Sequence, residues 1–351
     1  MHQKHITVLG ECVADAFTTP EPGTAPHALT TPEPNAGTHA LPTPDPAAGT
    51  HALPTPDPAA APHGLTLRVL PGGGPANTAV ALGRLGTPTR FLGRLSHDVF
   101  GTLFRARLTA SGVDLTGCAT APESSTLAVA DLDPAGQATY SFFADGTADW
   151  QWTDAELAAA PLDDTVCLHT GSLALVRDPG GPRIEEFLGR VRSHTTVSID
   201  PNVRPLLVAP AVYRERLARW CALADILRLS EDDLAFLAPG ATPEDACDTW
   251  HAAGARLVVI TLGERGALAS LDGERATVPA PPTTVVDTVG AGDSFTAGLL
   301  HRLDAHGRLG GRLDGLTLHE VVDACSYAVR VAARTCSVPG ADPPWADREA
   351  I

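Results

Sequence analysis

Short apolar runs alternate with helix-length amphipathic segments through most of this chain, and that alternation limits its fold more than any other feature. Leu257-Val258-Val259-Ile260 is four consecutive aliphatic residues, the mark of a strand covered on both faces. Similar short runs fall at 6–10, 89–92, 166–168, 196–199 and 226–229, with a pair of strands expected across Gly273. Between them, apolar residues at helical spacing predict helices over 75–85, 99–110, 183–192, 211–222, 231–237, 244–253, 294–302 and 320–333. Pro75 suits a first helical turn, and Gly86 with Pro88 supplies the stop. Repeated strand–helix units predict an α/β fold: a doubly wound, mostly parallel sheet with helices on both faces. Strands over 126–131 and 138–143 flank the turn Asp133-Pro134-Ala135-Gly136 and read as a hairpin that forms a small separate sheet. Ligands of such folds bind beyond the carboxyl ends of the strands, so the chemistry is expected there.

One segment departs from this pattern. A 12-residue unit begins at Thr19, Thr31, Thr43 and Thr55, and its third copy reads TPDPAAGTHALP. Alternate prolines remove amide donors and lock φ, which excludes helix and central strand. Each unit offers little more than one leucine to bury, so residues 19–66 are expected to be a disordered insertion in a single 1–351 domain. His27, His39, His51 and His63 recur in register, a spacing that repeat duplication explains without a metal.

Lys+Arg 25 against Asp+Glu 41 gives a net charge of −16, which disfavours phosphate backbones and anionic membrane surfaces as partners. No apolar stretch approaches the ~18 residues that span a bilayer. The seven cysteines are scattered and form no C-x-x-C pair, as expected of buried small hydrophobes in a reducing cytoplasm.

The chemistry concentrates in Val286-Asp287-Thr288-Val289-Gly290-Ala291-Gly292-Asp293-Ser294-Phe295. Two glycines end a strand and open a helix, so the amides around Gly290, Ala291 and Gly292 can converge on an anion. Asp293 falls in the first turn, placed to take a proton from a hydroxyl that attacks a phosphate. A first-turn acid that merely favours the helix dipole would look the same.

This stretch resembles the C-terminal signature D-T-x-G-A-G-D-x-F of the PfkB, or ribokinase-like, carbohydrate kinases. Pro71-Gly72-Gly73-Gly74-Pro75-Ala76-Asn77, continuing to Gly93 and Asp98-x-x-Gly101, resembles the N-terminal signature of the same family. The resemblance implies a ribokinase-like fold whose β lid comes from segments near 11–18, 66–73 and 119–145. It implies ATP with Mg²⁺, possible use of K⁺, and a sugar substrate. Asp15 would bond sugar hydroxyls, with Gly73, Gly74 and Asn77 closing from the opposite side. Asp200-Pro201-Asn202-Val203-Arg204 resembles the D-P-N-x-R of the fructokinase and ketodeoxygluconate kinase branch; Arg204 would face the substrate or its phosphate, or else pair with a neighbouring acid. Ser230 and Asp233 occupy an N/S-x-x-E motif that organises Mg²⁺ and the phosphates, with Asp in place of Glu. Thr261, Gly263 and Gly266 resemble the T-x-G-x-x-G loop against ATP. Asp287 and the Val289 carbonyl match a monovalent-cation site, although Asp287 could equally cap a local turn.

Three departures stand out. Val329 replaces an Asn found near the adenine in many members, Ala144 replaces a lid arginine of some fructokinases and keto-acid kinases, and the repeat interrupts a lid through which a homodimer is open. The resemblance implies ATP-dependent phosphorylation of a sugar hydroxyl, on a fructose-like ketose or related monosaccharide, with Asp293 as general base. A nucleoside kinase with Trp150 and Trp152 as a base-stacking lid, or a nonenzymatic sugar-binding protein, are the alternatives. A dinucleotide oxidoreductase is disfavoured, because the first strand leads into Gly10-Glu11-Cys12 instead of G-x-G-x-x-G.

Overall fold

The computed structural model describes residues 4–18, 66–132 and 138–346. The repeat up to residue 65 and the hairpin turn 133–136 lie outside the described residues. The elements in chain order are β1 (His5–Leu9), β2 (Val13–Thr18), β3 (Leu67–Gly72), α1 (Gly74–Arg84), β4 (Thr89–Leu92), β5 (Arg94–Ser96), α2 (Val99–Ala110) and β6 (Ala119–Ala121). They continue with β7 (Thr126–Leu132), β8 (Ala138–Phe143), α3 (Asp154–Ala158), β9 (Thr165–Gly171), α4 (Gly180–Val191), β10 (Thr196–Asp200), α5 (Pro210–Leu223) and β11 (Ile226–Ser230). The last are α6 (Glu231–Leu237), α7 (Pro243–Ala252), β12 (Leu257–Thr261), β13 (Ala267–Leu271), β14 (Glu274–Val278), α8 (Ala291–Ala305) and α9 (Leu318–Cys336).

The main sheet runs β14-β13-β12-β11-β10-β9-β1-β4. It is parallel from β4 to β12, and β13 and β14 close one edge antiparallel, as the turn at Gly273 requires. Both faces are buried, and β12 shows why its sequence is continuously aliphatic. Leu257 and Val259 pack into one core with α1, α2, α8 and α9, while Val258 and Ile260 pack into the other with α4, α5 and α7. Parallel register brings the carboxyl ends level: Gly171 pairs with Asp200, and Ser230 with Thr261. That common edge is where the candidate site forms.

A second sheet, β3-β2-β7-β8, forms the lid. Asp149 ties it to the main body: its carboxylate accepts from Cys12 N, between β1 and β2, at 2.9 Å and from Thr126 Oγ1, at the start of β7, at 2.6 Å. Asp98, the N-cap of α2, accepts from Gly101 N at 2.8 Å and from Ser125 N at 2.8 Å, so the Asp-x-x-Gly pattern serves a helix start and a lid hinge. The lid boundary differs from expectation at 119–121. That segment pairs with β5 as β6, and the lid strand starts only at Thr126. The short β5, β6 and α3 carry no periodic signal in the sequence. Helix α8 starts at Ala291, three residues earlier than its apolar spacing suggests, because Gly290 at φ 75 supplies the left-handed N-cap. No helix among the described residues is long and apolar enough to cross a membrane.

Candidate active site

Asp293 stands in the first turn of α8, where the leading amides have no intrahelical acceptor. Ala291 N turns back onto Thr288 O at 3.2 Å, so the anion-binding role expected of that amide competes with a turn bond; the Gly292 and Asp293 amides follow it at the helix mouth. The Asp293 carboxylate accepts from Asn77 Nδ2 at 3.0 Å. Burial pushes its pKa up to about 6; the Asn77 bond and the charges of Arg204 and Arg228 pull down, and Asp200 pushes up. A carboxylate held in this range is ionised at neutral pH and basic enough to accept a proton.

Residues 216 apart in sequence thus meet in one hydrogen bond. Asn77, expected to face the sugar, donates one amide hydrogen to the acid itself and keeps its second hydrogen and its Oδ1 for a ligand. Helix α1 brings Gly74 alongside. A Cβ there would lie 2.7 Å from Asn202 Nδ2 and 3.3 Å from Asp293 Oδ1, so a side chain would displace Asn202 and crowd the acid. Gly74, His169, Ser172, Asp200, Asn202 and Asp293 line one cavity at the strand ends. His169 is buried with Nδ1 3.0 Å from Ser198 Oγ; burial, reinforced by Arg228, lowers its pKa to about 3, so it is a neutral wall of the cavity.

Asp15 lies on β2 against Gly72, where a Cβ would come within 2.0 Å of its Oδ2. Burial raises its pKa to about 6, opposed by Arg204. Arg204 is exposed, donates from Nη1 to Val203 O at 3.2 Å, and makes no ion pair among the described residues. Its charge favours the ionised form of both Asp15 and Asp293. The alternative of a strand-end salt bridge for Arg204 is therefore not what forms.

On the other side, Ser230 caps α6, and Asp233 closes the reciprocal capping box. The Asp233 carboxylate accepts from Val203 N at 2.7 Å, Ser230 N at 3.0 Å and Ser230 Oγ at 2.6 Å. It therefore acts as a buried brace between two strand-end loops. Thr261 Oγ1 accepts from Arg228 Nη2 at 2.9 Å. Gly263 opens a tight turn before β13, and Gly266 is fixed by packing: a Cβ there would lie 1.9 Å from Val278 O. Asp287 accepts from Val289 N at 3.0 Å and Gly340 N at 2.8 Å, the turn-capping geometry left open by the sequence. No group of three or more His, Cys, Asp or Glu that could hold a metal occurs among the described residues.

The sequence reading does not single out Arg228, nor its partnership with Asp200, the first residue of the Asp-Pro-Asn motif. They form a buried ion pair at 2.7 Å at the floor of the cavity, and Arg228 stacks over Phe295, the residue two after Asp293, at 5.5 Å. The signal available was one arginine inside the otherwise apolar buried strand Ile226-Leu227-Arg228-Leu229. Trp150 and Trp152 are 1% and 2% exposed and serve core packing, so no base-stacking lid is built from them. Val329 is likewise buried in the core behind α8.

Residues 50–348 match the family described as "pfkB family carbohydrate kinase". A fructokinase of Rhizobium leguminosarum bv. trifolii is 40% identical over 233 residues, covering 66% of this chain and 71% of the relative. A fructokinase of Klebsiella pneumoniae is 37% identical over 244 residues, covering 68% and 78% respectively. Among solved structures, the fructokinase of Vibrio cholerae O395 in its fructose, ADP and calcium ion bound form superposes with TM-score 0.72 at 25% identity, over 97% of this chain and 94% of that one. The ATP-bound fructokinase of Xylella fastidiosa shares the fold with TM-score 0.75 at 23% identity, over 97% and 94%. The chain belongs to the pfkB family of carbohydrate kinases.

Proposed function

We propose that this protein transfers the γ-phosphoryl group of ATP to a hydroxyl of fructose or a closely related ketose, with Asp293 as the general base. The observation that carries the reading is the desolvated Asp293 carboxylate at a helix N-terminus, opening onto a polar cavity at the strand ends. Fructokinases as relatives at 40% and 37% identity support the ketose.

The sugar lies between Asp15, Gly73 and Gly74 on the lid side and Asp293 on the helix side. Asp293 takes the hydroxyl proton as that oxygen attacks phosphorus in line, and the bridging bond to ADP breaks. The Gly292 and Asp293 amides, with the N-terminus of α8, stabilise the charge on the transferred group. Arg204 screens that charge. ATP lies over Ser230, Thr261 and the Gly263–Gly266 turn.

Mg²⁺ would supply positive charge against the phosphates of the nucleotide. The chain fits it chiefly as a metal carried in by the nucleotide and water, because both Asp233 oxygens are occupied by three donors. Asp287 has carboxylate lone pairs beyond its two amide bonds, which fits a monovalent cation such as K⁺ beside the Val289 carbonyl. On the same reading the chain is one kinase domain with an insertion at 19–66. Seven unpaired cysteines support the cytoplasm, and Phe143, 59% exposed on β8, supports a homodimer through the lid.

The test is ADP release over a panel of hexoses, pentoses, keto-acid sugars and nucleosides, with ATP and Mg²⁺ and with or without K⁺. Fructose is expected to give the highest kcat/KM. A nucleoside preferred over every sugar would overturn the assignment.

A further inference from the structure

We propose that Arg228 is a positioning residue for phosphoryl transfer: it clamps the loops that carry the substrate and the nucleotide onto the first turn of α8, and it supplies a permanent positive charge behind the transferred group. The inference deepens the kinase reading above and rests on it. It begins from an anomaly. β11 is a central strand of a sheet buried on both faces, and its other apolar positions, Ile226, Leu227 and Leu229, are fully buried. An arginine that is 5% exposed in such a strand requires compensation, since a buried unpaired charge is strongly unfavourable.

The compensation is distributed over three catalytic loops. Nη1 donates to Asp200 Oδ2 at 2.7 Å, at the start of the Asp-Pro-Asn turn. Asp200 in turn accepts from Asn202 N at 3.1 Å through its other oxygen, and the Asn202 amide lies against Gly74 and the sugar cavity. Nη2 donates to Thr261 Oγ1 at 2.9 Å, at the head of the nucleotide turn. The guanidinium face lies over the Phe295 ring. Its tip also meets Gly292: a Cβ at that glycine would lie 2.8 Å from Nη1 and 3.0 Å from Nη2. A side chain at residue 292 would therefore compete with the guanidinium for the same space. Nε is buried with no hydrogen-bond partner among the described residues, so the group is held by its fork alone.

A planar guanidinium satisfies these demands and a lysine ammonium does not: the fork reaches two acceptors at fixed angles while its face stacks on a ring. The same charge lies within electrostatic reach of Asp293. Around that acid stand Asn77 from α1, Asp200 and Arg204 from β10 and the loop after it, and Arg228 from β11. Arg204 and Arg228 favour the ionised form, and Asp200 disfavours it. Neutralising residue 228 removes one of the two cations and leaves Asp200 unpaired. The acidic limb of kcat/KM then moves to higher pH.

The experiment measures kcat, KM for fructose and for ATP, and the pH dependence of kcat/KM for wild type, Arg228→Lys, Arg228→Gln and Asp293→Asn, with thermal melts of each. Arg228→Gln is expected to lower kcat by ~10², the loss that a misplacement of about 1 Å in the catalytic groups can cause. Its fructose KM should stay within about threefold of wild type and its acidic limb should move to higher pH. Arg228→Lys keeps the charge and loses the fork, so the limb stays in place while kcat falls about tenfold or more. Wild-type kcat in Arg228→Lys together with an unmoved limb in Arg228→Gln would overturn the proposal. A fall in kcat that merely tracks a fall in melting temperature, with no movement of the limb, would also overturn it. If Arg228→Gln does not fold, the Lys variant decides alone: a tenfold kcat loss at unchanged KM supports the clamp, and a wild-type rate refutes it. Asp293→Asn separates the two readings. If it retains activity the base assignment fails whatever Arg228 does; if it is inactive while both Arg228 variants match wild type, only the Arg228 proposal fails.

Discussion

A carboxylate that must accept a proton near neutral pH has to be desolvated enough to be basic and supported enough to remain ionised. Asp293 meets both demands through burial on one side and Asn77, Arg204 and Arg228 on the other. Other buried acids in this region show burial without the support. Glu11, between β1 and the lid, is pushed up to about 7 by burial, against weaker opposition from Ser172 and Arg204. Its folded-state pKa exceeds the ordinary 4.5, so the folded protein binds this proton more tightly than the unfolded chain. The group's contribution to stability is therefore most favourable below about pH 4.5 and declines as pH rises towards 7. Glu11→Gln removes that decline while keeping an acceptor for Ala174 N, which Glu11 Oε2 meets at 3.3 Å. Melting curves should place the variant about 2–4 °C above wild type at pH 8 and level with it at pH 5. An equal gap at both values would show that Glu11 is not protonated on folding.

Elements differ in how plainly the sequence announces them, for identifiable reasons. β12 was legible because a strand buried on both faces needs every residue apolar, and α2 because its apolar spacing persists from Val99 to Ala110. α8 was legible as a helix but its start was not. Apolar periodicity begins only where the helix meets the core, whereas its first turn is left polar for a ligand. The motif Gly-Ala-Gly-Asp therefore told more about the site than periodicity did. Asp15, Asn77 and Asp293 could be placed together because two distant motifs resemble one family. Arg228 could not, since its meaning depends on Asp200, Thr261 and Gly292 converging from β10, β12 and α8. Three-residue strands such as β5 and β6 exist only through their pairing with each other, so no local pattern reports them.

For the whole molecule, the two-layered core and the lid form one frame, and the described residues that flank the Pro-rich repeat lie together in it. β2 ends at Thr18 and β3 begins at Leu67, and these two residues are direct antiparallel partners. Thr18 and Leu67 are thus close enough for a two-residue turn to join them. Replacing residues 19–66 by Asn-Gly should preserve kcat and fructose KM within about threefold, since long surface insertions contribute little to loop closure. A folded variant that has lost more than tenfold would assign the repeat a part in lid closure. The frame brings residues 77 and 293 to within one hydrogen bond and sets the strand ends of β9 to β12 around them. What it is built to do is most directly tested by the kcat of Asp293→Asn with ATP, Mg²⁺ and fructose, measured beside its melting temperature. A loss of ~10²–10⁴ in kcat with the melting temperature retained is the result expected of a removed general base; a folded variant turning over at close to the wild-type rate would contradict it.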